Sequence, residues 1–288
     1  MTYREVFVSG AARLAAAAHP TETPELDARV LLGHAAGLSH ASLLARWNEP
    51  AGADETSRFE TALRRRSEGE PVAWITGTKE FLGMEFETPS GLLVPRADTE
   101  TLVEAALELL KTPLAERAVR AVDVGTGTGC VAVGLAAFSP VPIEVWAGDV
   151  SPLAVTAARR NASALLDGRA VTVVESDLLA ALPGPWSLIV SNPPYLTTEE
   201  TRERVERWGW REPALALDGG ADGLELPRRL AAQAREQLAP GGWLLLEAAG
   251  AQMAALARFL ESCGWTDIRT WKDLAGVERV IGGRAPAP

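Results

Sequence analysis

Asp123-Val124-Gly125-Thr126-Gly127-Thr128-Gly129 is the stretch on which the fold turns. An apolar run, residues 118–124, ends in three alternating glycines, and a helical stretch, 131–138, follows. Glycine there lets the backbone turn tightly and approach a ligand where side chains would collide. The helix start beyond it presents N–H groups with no intrahelical partner. Further apolar runs at 143–147, 171–174, 187–190 and 243–247 read as strands covered on both faces, because they lack polar alternation. Pro152 opens the helix after the second strand, and Pro240-Gly241-Gly242 turns into the last one. Alternating β and α elements of this length predict an α/β, doubly wound, Rossmann-like sheet from about residue 96. Ligands in such sheets sit beyond the carboxyl ends of the strands.

Two strand ends carry chemistry besides the glycine loop. Asp149 stands 20 residues past Gly129, at the end of the second strand, where a carboxylate can accept both ribose hydroxyl protons. This predicts a nucleotide-bearing ligand but does not separate NAD from S-adenosylmethionine, since Gly127-x-Gly129-x-x-Ala132 also fits the dinucleotide pattern. After the fourth strand stands Ser191-Asn192-Pro193-Pro194-Tyr195. Its prolines stiffen the loop and lack N–H groups. Asn192 offers one acceptor and two donors, and Tyr195 offers a flat face. Asn192 Oδ1 and the Pro193 carbonyl can each accept one N–H of a planar NH₂ group, with Tyr195 stacked on its plane.

Outward from this core, residues 1–70 read as a small helical bundle. Pro24 begins one helix, with Leu26, Val30 and Gly33 on one face, and Asp54 is the expected cap of another that runs through Phe59 and Leu63 into Arg64-Arg65-Arg66. That arginine run reads as a solvated helix face. Residues 71–95 are expected to form a linking β-hairpin, 96–283 the sheet domain and 284–288 a disordered tail. Thr101-x-x-Glu104 fits a capping box for the helix after Arg96, with Asp98 as another candidate cap. Glu212 and Glu247 read as structural polar residues.

The 288 residues carry a net charge of −10, with 8 basic against 10 acidic side chains up to Glu70. Neither part is basic, which disfavours direct nucleic-acid binding. Two cysteines, Cys130 and Cys263, suit a reducing, cytoplasmic location and exclude a disulfide framework. No uncharged stretch is long enough for a membrane span. His19, His34 and His40 all lie before residue 41, so the larger part works without histidine, and no metal site is expected.

Taken together, Asp123-x-Gly125-Thr126-Gly127-Thr128-Gly129 and Asn192-Pro193-Pro194-Tyr195 resemble the amino-methyltransferases. Within them the chain resembles the HemK/PrmC family of peptide-chain release factor glutamine methyltransferases. The resemblance extends through Gly69-Glu70-Pro71, Val94-Pro95-Arg96, Asp98-Thr99-Glu100, Glu212-Pro213, Asp222-Gly223-Leu224 and Lys272-Asp273-Leu274-Ala275-Gly276. Departures are Trp74, Ala97, Arg211 and Glu247-Ala248-Ala249-Gly250, none of them within the two principal motifs.

The resemblance implies a class I methyltransferase sheet with a small N-terminal helical domain for substrate recognition. It implies methyl transfer from S-adenosylmethionine to the amide nitrogen of a glutamine in the Gly-Gly-Gln loop of release factors, yielding S-adenosylhomocysteine. The cofactor is expected on Gly125, Thr126, Gly127, Thr128, Gly129, Asp149, Leu178 and Asn192, and the substrate amide on Asn192, Pro193, Pro194 and Tyr195. Catalysis is expected from Asn192, Pro193 and Tyr195. Two other substrates fit the same motifs: a glutamine of a large-subunit ribosomal protein, and adenine in DNA, which the acidic charge disfavours.

Overall fold

The parallel strands owe their position to period-two alternation between two apolar faces. In the computed structural model, which describes residues 1–19, 21–111, 119–168 and 170–285, the chain forms two compact units. One holds Met1–Thr78 with Arg202–Arg211, the other Lys79–Thr201 with Glu212–Pro288.

The first unit contains α1 (Tyr3–Ala15), α2 (Pro24–Ala36), α3 (His40–Ala45), α4 (Ala53–Ser67) and α5 (Val72–Thr76). Its core is built from Tyr3, Val6, Leu14, Leu31, Leu32, Phe59 and Leu63. The inward face of α2 differs from the expected one. Leu26 and Val30 are exposed, and Ala28, Leu31, Leu32 and Ala35 are buried instead. The reason is polar as well as apolar: Asp27 turns inward to pair with Arg66 at 2.7 Å, which fixes the helix's rotation. Arg65 also pairs with Glu70, so two of the three arginines are engaged rather than merely solvated. Glu55, not Asp54, caps α4, accepting from the Gly52 N–H at 2.8 Å.

The second unit begins with β1 (Thr78–Phe81) and β2 (Met84–Glu87), paired as a two-stranded sheet. The expected hairpin over 71–95 is therefore shorter, with α5 in front of it and an extended segment behind. After a 3₁₀ turn at Ala97–Thr99 come α6 (Glu100–Leu110), β3 (Val119–Val124), α7 (Cys130–Phe138), β4 (Ile143–Asp149), α8 (Pro152–Leu165), β5 (Val171–Glu175) and β6 (Trp186–Ser191). Next in the chain is α9 (Thr198–Trp208), which belongs to the first unit from Arg202 onward, and then, in the second unit, come α10 (Glu225–Gln237), β7 (Leu238–Glu247), α11 (Met253–Ser262), β8 (Thr266–Lys272) and β9 (Glu278–Arg284). No side chain caps α6; Thr101 is buried inside the helix rather than starting a capping box. The expected tail also begins later: Arg284 pairs in β9 and the Ala285 N–H donates to Gly242, while 286–288 lie outside the described residues.

The large sheet has the order β5-β4-β3-β6-β7-β9-β8, parallel from β5 to β7 and antiparallel at β9 and β8. It is mixed rather than wholly parallel. The Pro240-Gly241-Gly242 turn is absorbed into β7 as an irregularity against β6. Ala121, Leu188, Val190 and Leu245 face one core with α6, α7 and α8. Val122, Val124, Ile189, Leu244 and Leu246 face the other with α10 and α11. Among the described residues no helix is long and apolar enough to cross a membrane.

The chain runs from β3 outward to β4 and β5, then returns to place β6 on the other side of β3. This reversal opens a crevice between the carboxyl ends of β3 and β6, where Val124 and Ser191 lie in register.

Candidate active site

A cavity of about 440 Å³ lies in that crevice. Its wall includes Gly125, Thr126, Gly127 and Thr128 after β3, Asp149 after β4, Leu178 after β5, and Asn192, Pro193 and Pro194 after β6. Four strand ends thus deliver the expected residues to one place. Gly129 and Tyr195 are not in the wall.

The glycine loop is held from behind. Its first two amides, Gly125 and Thr126, both donate to the Gly148 carbonyl, at 2.8 and 3.0 Å. A Cβ added at Gly125 or Gly127 would meet nothing within 4 Å, so these positions face open space, and their positive φ (74° and 56°) is what demands glycine. Gly129 is different: a Cβ there would come within 3.0 Å of Ala158, so it permits α7 to approach α8.

Asn161 of α8, which the sequence did not single out, clamps the loop. Its Nδ2 donates to the carbonyls of Thr128 (2.8 Å) and Glu87 (3.0 Å), and its Oδ1 accepts from the Glu87 N–H. Asp123 accepts from the Thr126 hydroxyl at 2.5 Å. Burial pushes the Asp123 carboxyl up to about 7, opposed by the bonds from Thr126 and Ala132.

Asp149 accepts the Gly127 and Ser151 N–H groups, each at 2.9 Å, one on each oxygen. Burial raises its pKa above the ordinary carboxylate value despite those bonds. Leu178 holds a positive φ of 49°, a conformation that costs a non-glycine residue about 1–3 kcal/mol. The Ser176 hydroxyl supports it by donating to the Leu178 carbonyl at 2.8 Å.

At β6, among the described residues, Asn192 is anchored by one end. Its Nδ2 donates to the Thr99 hydroxyl oxygen at 3.0 Å, which leaves Oδ1 as the end offered to the cavity. The loop beyond is pinned by its backbone: Gln252 Nε2 donates to the Tyr195 carbonyl at 2.8 Å, and Leu196 bonds to Leu217 and Gly219. The Tyr195 phenol faces inward toward Glu247, and burial pushes it up to about 12. Tyr195 therefore braces the loop from the protein side instead of stacking in the cavity, as its sequence position suggested.

The opposite wall, 91–96, depends on Glu212. That buried carboxylate accepts the Val94 N–H at 2.8 Å and pairs with Arg96. Neither Glu212 nor Thr99 has a local sequence signal, because their partners lie 93 to 118 residues away. Among the described residues no cluster of side chains is suited to hold a metal ion.

A parallel-core sheet with a glycine loop, a strand-end acid and a proline-braced asparagine at its switch point defines a methyltransferase of the α/β class. Residues 99–208 match the methyltransferase small domain, and residues 5–77 match the PrmC N-terminal domain. A solved methyltransferase from Pyrococcus furiosus shares the fold, with a TM-score of 0.52 over 77% of this chain and 98% of that one at 21% identity.

The chain belongs to the release factor glutamine methyltransferase family. It is 42% identical to the release factor glutamine methyltransferase of Deinococcus radiodurans over 285 residues, 99% of both chains. It is also 42% identical to that of Burkholderia pseudomallei, across 91% of this chain and 92% of the relative.

Proposed function

We propose that this chain transfers a methyl group from S-adenosylmethionine to the side-chain amide nitrogen of a glutamine in peptide-chain release factors, holding that amide at Asn192 and Pro193. The observation that carries the reading is the singly anchored Asn192 amide at a crevice shared with the glycine loop. The bound cofactor supplies an electrophilic sulfonium methyl.

The residues fit such a group. Gly125 and Gly127 border open space, Asp149 retains acceptor capacity on both oxygens for ribose hydroxyls, and the cavity has the size of small-molecule sites. Thr126 and Thr128 complete the cradle, Gly129 shapes it from behind, and Leu178 flanks the base.

An amide nitrogen is a poor nucleophile because its lone pair is delocalised into the carbonyl. Asn192 Oδ1 accepts one amide N–H and the Pro193 carbonyl accepts the other, so fixed dipoles await the positive charge that grows on nitrogen. Alignment of donor and acceptor supplies further acceleration, worth about 7–11 kcal/mol in well-oriented cases. The surplus proton on nitrogen becomes acidic only as the new bond forms and would pass to water, so no strong base is needed. Pro194 and Tyr195 keep this corner rigid. The N-terminal helical unit selects the protein substrate, and the enzyme works in the cytoplasm, where release factors act.

The test is labelled methyl transfer to purified release factor, large-subunit ribosomal protein and DNA in parallel, with mass spectrometry to locate the methyl. Label on a release factor glutamine is expected; label on DNA alone would overturn the substrate assignment.

A further inference from the structure

We propose that Glu247 acts as a positioning residue: through Thr99 it sets which end of the Asn192 side-chain amide faces the cavity. The inference rests on the reading that Asn192 Oδ1 accepts the substrate amide. Glu247 ends β7, next to β6, and is only 1% exposed. Neither of its carboxylate oxygens completes a hydrogen bond. Two hydroxyls nevertheless face it closely enough to lower its pKa, those of Thr99 and Tyr195. Thr99 is the group to which Asn192 Nδ2 is bonded. An acid, a hydroxyl and an amide therefore run in series from the core to the cavity wall.

The two ends of an asparagine amide are nearly identical in shape and opposite in polarity. A threonine hydroxyl alone cannot choose between them, since it can accept from Nδ2 or donate to Oδ1. An ionised carboxylate only accepts. When the Thr99 hydroxyl donates a hydrogen bond to ionised Glu247, its oxygen can only accept from Asn192, so Nδ2 turns to Thr99 and Oδ1 faces the cavity. A protonated Glu247 can donate to Thr99 instead, and the threonine proton then draws Oδ1 away. The cavity would then present an NH₂ to the substrate's NH₂, donor against donor.

Burial pushes the Glu247 carboxyl up to about 7, with the Thr99 hydroxyl opposing, Asp98 adding to the rise and Arg279 and Tyr195 opposing it. Cys130 and Tyr195 are pushed up to about 12, and Arg279 is held charged by Asp273 and by Asp98 at 3.0 Å. The ionised, Asn192-orienting form thus prevails above about pH 7, and orientation is lost as the pH falls through that value. Asp123 titrates in the same range on the other side of the cavity. The deciding comparison is therefore Glu247→Gln against wild type, and a pH midpoint by itself is not enough.

The experiment follows the Asn192 side-chain NH₂ resonances by NMR, assigned by their loss in Asn192→Ala, alongside methyl transfer from pH 5.5 to 8.5. In wild type they should shift with a midpoint near 7, and in Glu247→Gln they should not. At pH 8, Glu247→Gln and Thr99→Val should each lose about 10- to 100-fold in kcat with cofactor affinity within twofold, and Thr99→Ser should recover most of it. Thermal melting checks that each variant folds; Glu247→Gln should melt no lower than wild type at pH 8, because it removes a buried charge. If Glu247→Gln does not fold, the titration is repeated in Thr99→Val, which cuts the link to Glu247 and leaves Asp123 in place: the Asn192 shift near pH 7 should vanish there, and its persistence would overturn the inference. Unchanged kcat in the folded Glu247→Gln or Thr99→Val, or a persisting Asn192 shift in Glu247→Gln, would overturn the inference. Should Asn192→Ala itself remain active, the underlying reading of the site fails instead.

Discussion

The loops after β3 and β6 stand side by side, yet they are built on opposite plans. The β3 loop shows backbone to the cavity: its positive-φ glycines border open space, and its rigidity comes from Asn161, Gly148 and Asp123 behind it. The β6 loop shows a side chain, Asn192, held at one end by Thr99, with prolines and Gln252 fixing the main chain. A ligand that must only be bound can be met by peptide groups at any point along its length. A nitrogen that must be aimed needs a single oriented acceptor. Under the proposed function, the first loop would serve affinity and the second turnover.

The largest effect should come from Asn192→Ala. Loss of one preorganised polar group is expected to lower kcat about 10²-fold or more, with cofactor affinity nearly unchanged. Equal losses in both quantities would break the division of labour. Gly127→Ala forces a side-chain-bearing residue into left-handed backbone at a cost of about 1–2 kcal/mol. The loop can relieve that strain by shifting off its native backbone, and a cradle displaced in this way should bind S-adenosylmethionine roughly tenfold more weakly by calorimetry, with kcat at saturation close to normal. Smallest is Asn161→Ala, which removes the donors to Thr128 and Glu87. It should lower stability by about 1–3 kcal/mol in denaturant titration and weaken cofactor binding only a few-fold. A kcat defect there would show that the clamp serves both loops.

Much of this site was legible because its residues sit at the ends of short apolar runs bounded by glycine or proline. Asp123, Asp149 and Asn192 each announce a strand end locally, and the glycine spacing fixes the turn. What the sequence hid is nonlocal. Thr99, Asn161, Glu212 and Glu247 gain their roles only through partners brought close by the sheet. The N-terminal unit is readable as helical, but the inward face of α2 is not, since an ion-paired Asp27 and two alanines share it with Leu31 and Leu32 while Leu26 and Val30 face outward. β8 escaped notice because it is an edge strand with most residues exposed and no continuous apolar run. Tyr195 lies outside the cavity wall because a motif fixes the order of residues but not the direction of a ring.

Glu212 reaches back 118 residues to the Val94 amide. During synthesis at roughly 5–20 residues per second, the nascent chain carries segment 91–96 for on the order of ten seconds before its fastener emerges. Once residues 125–129 are made, the glycine loop can exist for the rest of that interval with no fastened wall opposite it. A polypeptide arrested between residues 195 and 211 would keep Asn192 and its prolines yet leave segment 91–96 without its fastener, so the competent enzyme is a late product of its own translation.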